Sequence, residues 1–168
     1  MWDKKNWEFF INDIQDSETV NGESHFLGSI ITINDKDSDY IDVVDGQQRL
    51  TTISLALIAL SKITSEMENI PNEIKNKFYR MCTYISDFVV IEEEIPRLHP
   101  SHQKNDYQNY IALLQEVGLL QNKSQDKKLE QESNINKSYE YFYKRFQSFK
   151  LNELMNFYEK LNITNCFN

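Results

Sequence analysis

The chain has 168 residues, 40% of them hydrophobic and 26% charged, with four Gly and three Pro, which excludes disordered and fibrous classes and predicts one ordinary domain with a sizeable core. Net charge is −8, and residues 1–100 hold 18 acids against 9 bases while 101–168 hold 8 against 9. The acidic half repels phosphate at long range and disfavours sequence-independent DNA binding, and a bound nucleotide is expected to bring Mg²⁺ with it. Only Cys82 and Cys166 are present, with neither a disulfide framework nor a CxxC pair, and no apolar run is long enough to span a bilayer, so a reducing, cytoplasmic setting without membrane is expected.

In chain order, Trp7, Phe10, Ile11 and Ile14 mark one face of a short amphipathic helix. SHFLGSIITI (24–33) and YIDVV (40–44) are β-branched runs separated by the turn-forming NDKDSD, and they predict a hairpin whose strands lie in a mostly buried sheet. From Leu50 to about Met67, Leu50, Ile53, Leu57, Leu60 and Ile63 form a stripe and Leu55, Ala56, Ile58 and Ala59 fill the flanks, so this helix is expected to be largely buried. IPNE (70–73) breaks it, EIKNKFYRMCTYI suggests another helix, and DFVVIEEEIPRLHPS reads as a strand pair or strand and turn, limited by Pro96 and Pro100. Beyond Asn105 the pattern is helical, with stripes Tyr107, Tyr110, Ile111, Leu114 and Tyr139, Phe142, Tyr143, Phe146; residues 121–133 read as a solvated linker. The fold expected is α+β, a small mixed sheet packed by helices over 1–100, with 101–168 as a helical extension of the same domain.

The junction DVVDGQQRLTT (42–52) is strand, tight turn, helix, with Gly46 in the turn. A helix N-terminus offers unpaired N–H groups and the positive end of the helix dipole, which suits an anion such as phosphate. Gly46 permits close approach, Arg49 adds a planar cationic fork, and Thr51 and Thr52 add hydroxyls. Asp45 stands where it could hold a metal ion or orient a water. The competing structural account makes Asp45 and Gln48 a capping box, which leaves Gln47 and Arg49 unexplained, since a cation in a first turn opposes the dipole.

Other patterns rank lower. The DxDxD opening of DKDSDYIDVVDG has Tyr40 where a calcium loop needs glycine and Gly46 where it needs glutamate. His99 and His102 lack a third zinc ligand nearby. Arg97 is either a second phosphate or base contact or the partner of Glu92, Glu93 or Glu94, and Asp106 either caps a helix starting at Tyr107 or faces a pocket. The aromatic stripe at Tyr139, Phe142, Tyr143 and Phe146 reads as core rather than base-stacking surface, and Lys127, Lys128, Lys137, Lys144 and Arg145 could form a modest basic face.

The segment FLGSIITINDKDSDYIDVVDGQQRLTTISLALIAL resembles the signature of the DGQQR-motif domain of GmrSD-like, modification-dependent (type IV) restriction and phage-defence systems, as do IPRLHPSHQKNDYQNYIALL and SNINKSYEYFYKRF in the later helices. The resemblance implies a fold of ParB and sulfiredoxin type and a domain that binds and hydrolyses a nucleoside triphosphate with Mg²⁺, licensing an HNH-type nuclease domain or subunit against modified DNA. It implies catalytic roles for Asp45, Gln48 and Arg49, nucleotide contacts from Gly46, Gln47, Arg49, Thr51, Thr52 and Arg97, and a metal contact at Asp45. Similar proteins carry an upstream Ile-Pro-x-x-Gln-Arg-x-Tyr-x-Trp segment whose last residue matches Trp2, so a domain shortened at its N-terminus, holding half of the site, is expected; no His-Asn-His arrangement is present. The alternative is a non-catalytic interaction or DNA-sensing module in which the DGQQR junction is a structural helix cap.

Overall fold

A computed structural model describes residues 2–16, 28–34, 41–91, 94–101, 103–121 and 128–161. The described elements are α1 (Lys4–Asp16), β1 (Ile31–Asn34), β2 (Ile41–Asp45), α2 (Gln47–Ser65), α3 (Lys75–Val89), β3 (Val90–Ile91), β4 (Ile95–Pro96), α4 (Asp106–Glu116), α5 (Asn134–Gln147) and α6 (Leu151–Leu161). The class is α+β with a helical C-terminal part, as the sequence predicts.

The core is built around α2. Every residue from Leu50 to Leu60 is buried, as are Ile63 and Thr64, so this helix has no solvent face over most of its length. Its closest neighbour is α5, which lays Ile135, Tyr139, Phe142 and Phe146 into the interior; α3 contributes Phe78, Met81, Ile85 and Val89, and α1 contributes Trp7, Phe10, Ile11 and Ile14. Phe10 meets Phe142 edge-on at 6.0 Å between ring centroids, and Phe146 meets Phe157 of α6 at 5.0 Å. The aromatic stripe is thus core at Tyr139, Phe142 and Phe146, while Tyr143 reaches outward to Glu66.

Helix α3 runs to Val89, further than the strand-like VV pair suggests, because Phe78, Met81, Ile85 and Val89 continue one helical stripe. The strand pair expected after it shrinks to two residues on each side, Val90 opposite Pro96 and Ile91 opposite Ile95.

β1 and β2 pair antiparallel, Thr32 opposite Val43 and Ile33 opposite Asp42, with an irregularity between Ile31 and Thr32. The hairpin expected from the sequence is present, but its strands are not buried and the described strands form two antiparallel pairs rather than one mixed sheet. Ile31, Ile33, Ile41 and Val44 are 54–61% exposed, and neither strand packs broadly on a helix among the described residues. β-Branched composition reports that a segment suits an extended chain; it does not report what lies opposite that segment. Among the described residues the hairpin joins the helical body chiefly at its base, where β2 turns into α2.

Candidate functional site

Asp45 ends β2, Gly46 makes the turn, and α2 begins at Gln47. Gly46 has φ +90°, the left-handed region where a side chain is strained, and a Cβ there would lie 3.2 Å from Cγ1 of Ile30. The first helical hydrogen bond is Leu50 N–H to the Gly46 carbonyl at 2.9 Å, so the N–H groups of Gln47, Gln48 and Arg49 precede the helical ladder. Among the described residues no side chain caps this turn and no acid stands in it.

The capping-box expectation is therefore corrected. The N-cap is Gly46, with Asp45 outside the helix in the strand, and among the described residues neither the Asp45 carboxylate nor the Gln48 amide makes a hydrogen bond. Asp45 is exposed and Gln48 half-buried. The two residues that capping left unexplained are the ones bonded to the fold. Gln47 donates through Nε2 to the carbonyl of Val43 in β2, and Arg49 donates through Nη1 to the carbonyl of Ser29, just ahead of β1, at 2.7 Å. One side chain holds each arm of the hairpin.

Gly28 and Ser29, which sequence reasoning did not single out, complete this arrangement. Gly28 has φ +92°, and a Cβ built on it would stand 3.0 Å from both Cζ and Nη1 of Arg49 and 3.1 Å from Nη2. The guanidinium lies against the Gly28 backbone and also passes Gly46, whose Cβ position is 3.6 Å from Nη1. An isolated glycine within a β-branched run is the signal that could have marked this close approach.

Thr51, Thr52 and Arg97 complete the predicted set of site residues. Thr51 and Thr52 are 2% and 3% exposed, within the buried part of α2, and the Thr51 hydroxyl donates to the Gln47 carbonyl at 3.0 Å. Arg97 follows β4, where its N–H bonds the Val89 carbonyl at 3.0 Å and its Nε bonds the Asp87 carbonyl at the end of α3. Both bonds tie β4 to α3, and neither goes to the α2 turn. Of its expected acidic partners, Glu92 and Glu93 lie outside the described residues, and no ion pair joins Arg97 to Glu94.

His99 is exposed and packs on Tyr107 with ring centroids 3.6 Å apart; His102 and residues 35, 37 and 39 of the acidic loop lie outside the described residues. Among the described residues no group of three or more His, Cys, Asp or Glu could enclose a metal ion. α4 starts at Asp106 rather than Tyr107, with Asn105 (φ +72°) as N-cap, and the buried Asp106 carboxylate accepts the Gln103 N–H at 2.8 Å, so it closes the turn leading into the helix. On the C-terminal half, Lys137 pairs with Glu132 at 2.8 Å and Lys144 with Glu140 at 3.3 Å, which neutralises much of the expected basic face, and Arg145 covers the Phe149 ring. Lys127 lies outside the described residues, and Lys128 lines an open cavity of about 140 Å³ with Asn105, Gln108, Asn109 and Glu130. No described helix is long and apolar enough to cross a membrane.

Compared with known proteins, residues 1–166 match a family model described as the GmrSD restriction endonuclease, N-terminal domain. No curated protein and no solved structure matches the chain.

Proposed function

The chain belongs to the family of N-terminal domains of GmrSD restriction endonucleases, and from that premise we propose that it is a nucleoside-triphosphate-binding regulatory domain of a modification-dependent restriction system, with phosphate held at the start of α2. The observation that carries this reading is the open first turn: among the described residues the N–H groups of Gln47, Gln48 and Arg49 are uncapped and the Asp45 carboxylate and the Gln48 amide are unengaged, and the Arg49 guanidinium passes Gly46 at the turn. An uncapped N-terminus forgoes about 1 kcal/mol that a Ser or Asp would supply, and a bound anion recovers that stabilisation. Gly46 keeps the approach clear of a Cβ.

Residues Asp45 and Gln48 are the pair free to act on a terminal phosphate. A single carboxylate is too little for a dedicated metal cage, yet it fits Mg²⁺ delivered by a nucleotide, where phosphate oxygens and water supply most of the ligands. Asp45 would hold that ion, whose contribution there would be to neutralise phosphate charge. The Gln48 amide, with both a donor and an acceptor, suits orienting a water toward the terminal phosphorus. Thr51 supports the turn from within through the Gln47 carbonyl, Thr52 is buried along α2, and Arg97 orders the far end of α3. The working partners in this reading are an HNH-type nuclease domain or subunit and modified DNA, and the body of the domain corresponds to the ParB and sulfiredoxin type.

One observation favours the second reading, a non-catalytic interaction module: Gln47 and Arg49 both serve the hairpin. The readings separate in a calorimetric titration of the full chain with Mg²⁺ and GTP, ATP or CTP. Saturable binding weakened about tenfold or more by Gln48→Ala and by Asp45→Asn supports the nucleotide site, because neither side chain holds the fold. Heat-silent titrations with all three nucleotides support the structural junction.

A further inference from the structure

We infer that Gly28 and the carbonyl of Ser29 are positioning elements of the DGQQR site: they form a seat that fixes the Arg49 guanidinium beside the uncapped turn of α2. This inference rests on the anion-site reading above. An arginine in a first turn has several side-chain torsions and no reason to remain near its own helix end, where the dipole repels it. Here the chain supplies a reason from outside the helix. Nη1 donates to Ser29 at 2.7 Å, and the guanidinium lies against Gly28 at a separation that a Cβ would close to 3.0 Å. One N–H is used in this way, while the guanidinium carries five, so the seat leaves donors for an anion at the turn.

Both contacts depend on residue 28 lacking a side chain. A methyl group there meets the far end of a flexible side chain, so Gly28→Ala displaces the guanidinium instead of breaking the core. The backbone at φ +92° adds strain of its own to that variant. A seated guanidinium is ordered before the anion arrives, so binding spends less on immobilising it. The signal is non-local, since residues 28 and 49 meet only because the hairpin returns to the start of α2.

The test is a double-mutant cycle on the full chain, reading Kd for the Mg²⁺–nucleotide that binds wild type, alongside amide exchange at residues 28–34 without nucleotide. Gly28→Ala is expected to raise Kd about tenfold in the Arg49 background and to leave Kd unchanged in the Arg49→Ala background, where there is no guanidinium to seat. Backbone strain at position 28 is common to both backgrounds and cancels. Without nucleotide, Arg49→Ala and Gly28→Ala should each speed exchange at residues 28–34 by roughly three- to tenfold, and the double variant no more than the faster of the two. Equal, additive effects of Gly28→Ala on Kd in both backgrounds overturn the positioning role and leave the nucleotide site standing. Exchange unaltered by Arg49→Ala overturns the seat itself. Wild type that binds no nucleotide overturns the site and the positioning role together.

Discussion

Arg49 Nη1 and the carbonyl oxygen of Ser29 lie 2.7 Å apart across twenty residues of sequence, which makes a first-turn side chain of α2 the tether of the arm that leads into β1. With Gln47 holding Val43 on the other arm, the hairpin base is gripped from both sides by residues of one helical turn. Among the described residues the hairpin has little other support, because Ile31, Ile33, Ile41 and Val44 face solvent. Arg49→Ala is therefore expected to destabilise the chain by about 1 kcal/mol, the worth of an exposed charge-assisted bond, and Gln48→Ala by a few tenths or less. Urea unfolding of the two variants beside wild type checks the order; an equal loss in both would show that the tether adds nothing.

Gly46→Ala places a Cβ at φ +90° and 3.2 Å from Ile30 Cγ1. Strain and contact together should cost about 1–3 kcal/mol, more than a typical surface substitution, and the loss should be accompanied by faster exchange in both strands. A neutral result in equilibrium unfolding would mean that the turn relaxes to another geometry.

Inside the core, the Ser54 hydroxyl and the Tyr110 phenol form a hydrogen bond at 2.5 Å, joining α2 to α4 where both side chains are buried. Burial pushes the Tyr110 phenol well above its ordinary value, so it is neutral at physiological pH. Ser54→Ala strands that phenol in the interior and should cost about 1–3 kcal/mol. Tyr110→Phe leaves a serine that can turn to a carbonyl of its own helix, and should cost about 1 kcal/mol. Thermal unfolding of both variants tests the asymmetry; equal costs would contradict it.

At the other end of α2, Glu66 accepts from Lys62 at 3.0 Å and from the Tyr143 hydroxyl at 2.9 Å, and these bonds, Lys62 first, hold its carboxyl below the ordinary value of 4.5. A folded-state value below the unfolded one stabilises the fold above pH 4.5, and that contribution is lost as pH falls through the folded value. Both ion-pair partners are about one-third or more exposed, which limits the effect to a few tenths of a kcal/mol. The melting-temperature gap between wild type and Glu66→Gln should be present at neutral pH and close below pH 4.5. A gap that persists in acid would assign it to packing.

Much of the helical body was legible because its signal is local. Trp7, Phe10, Ile11 and Ile14 recur at helical spacing, and the near-continuous apolar run after Arg49 could only be a buried helix. The hairpin was legible as strands but not as an exposed ribbon, since Ile31, Ile33 and Ile41 look the same in sequence whether or not anything covers them. At the site, the Gly46 turn was legible and the division of labour was reversed. Capping rules look along a helix's own backbone, so they assigned Asp45 and Gln48 to structure and released Gln47 and Arg49 for a ligand. The bonds instead run from Gln47 and Arg49 to carbonyls on the hairpin, one of them twenty residues away, where no local rule reaches. Gly28 escaped for the same reason, since its neighbour Arg49 is remote in sequence.

The central claim, a nucleotide held at the open turn of α2, is tested most directly by the melting temperature of the full chain with Mg²⁺ and saturating GTP, ATP or CTP. At about 100 times Kd, binding to the folded state should raise the transition by roughly 5–10 °C with at least one of them, and Asp45→Asn combined with Gln48→Ala should abolish the rise while melting like wild type without nucleotide. An unchanged transition with all three nucleotides, or an equal rise in the double variant, would contradict the account.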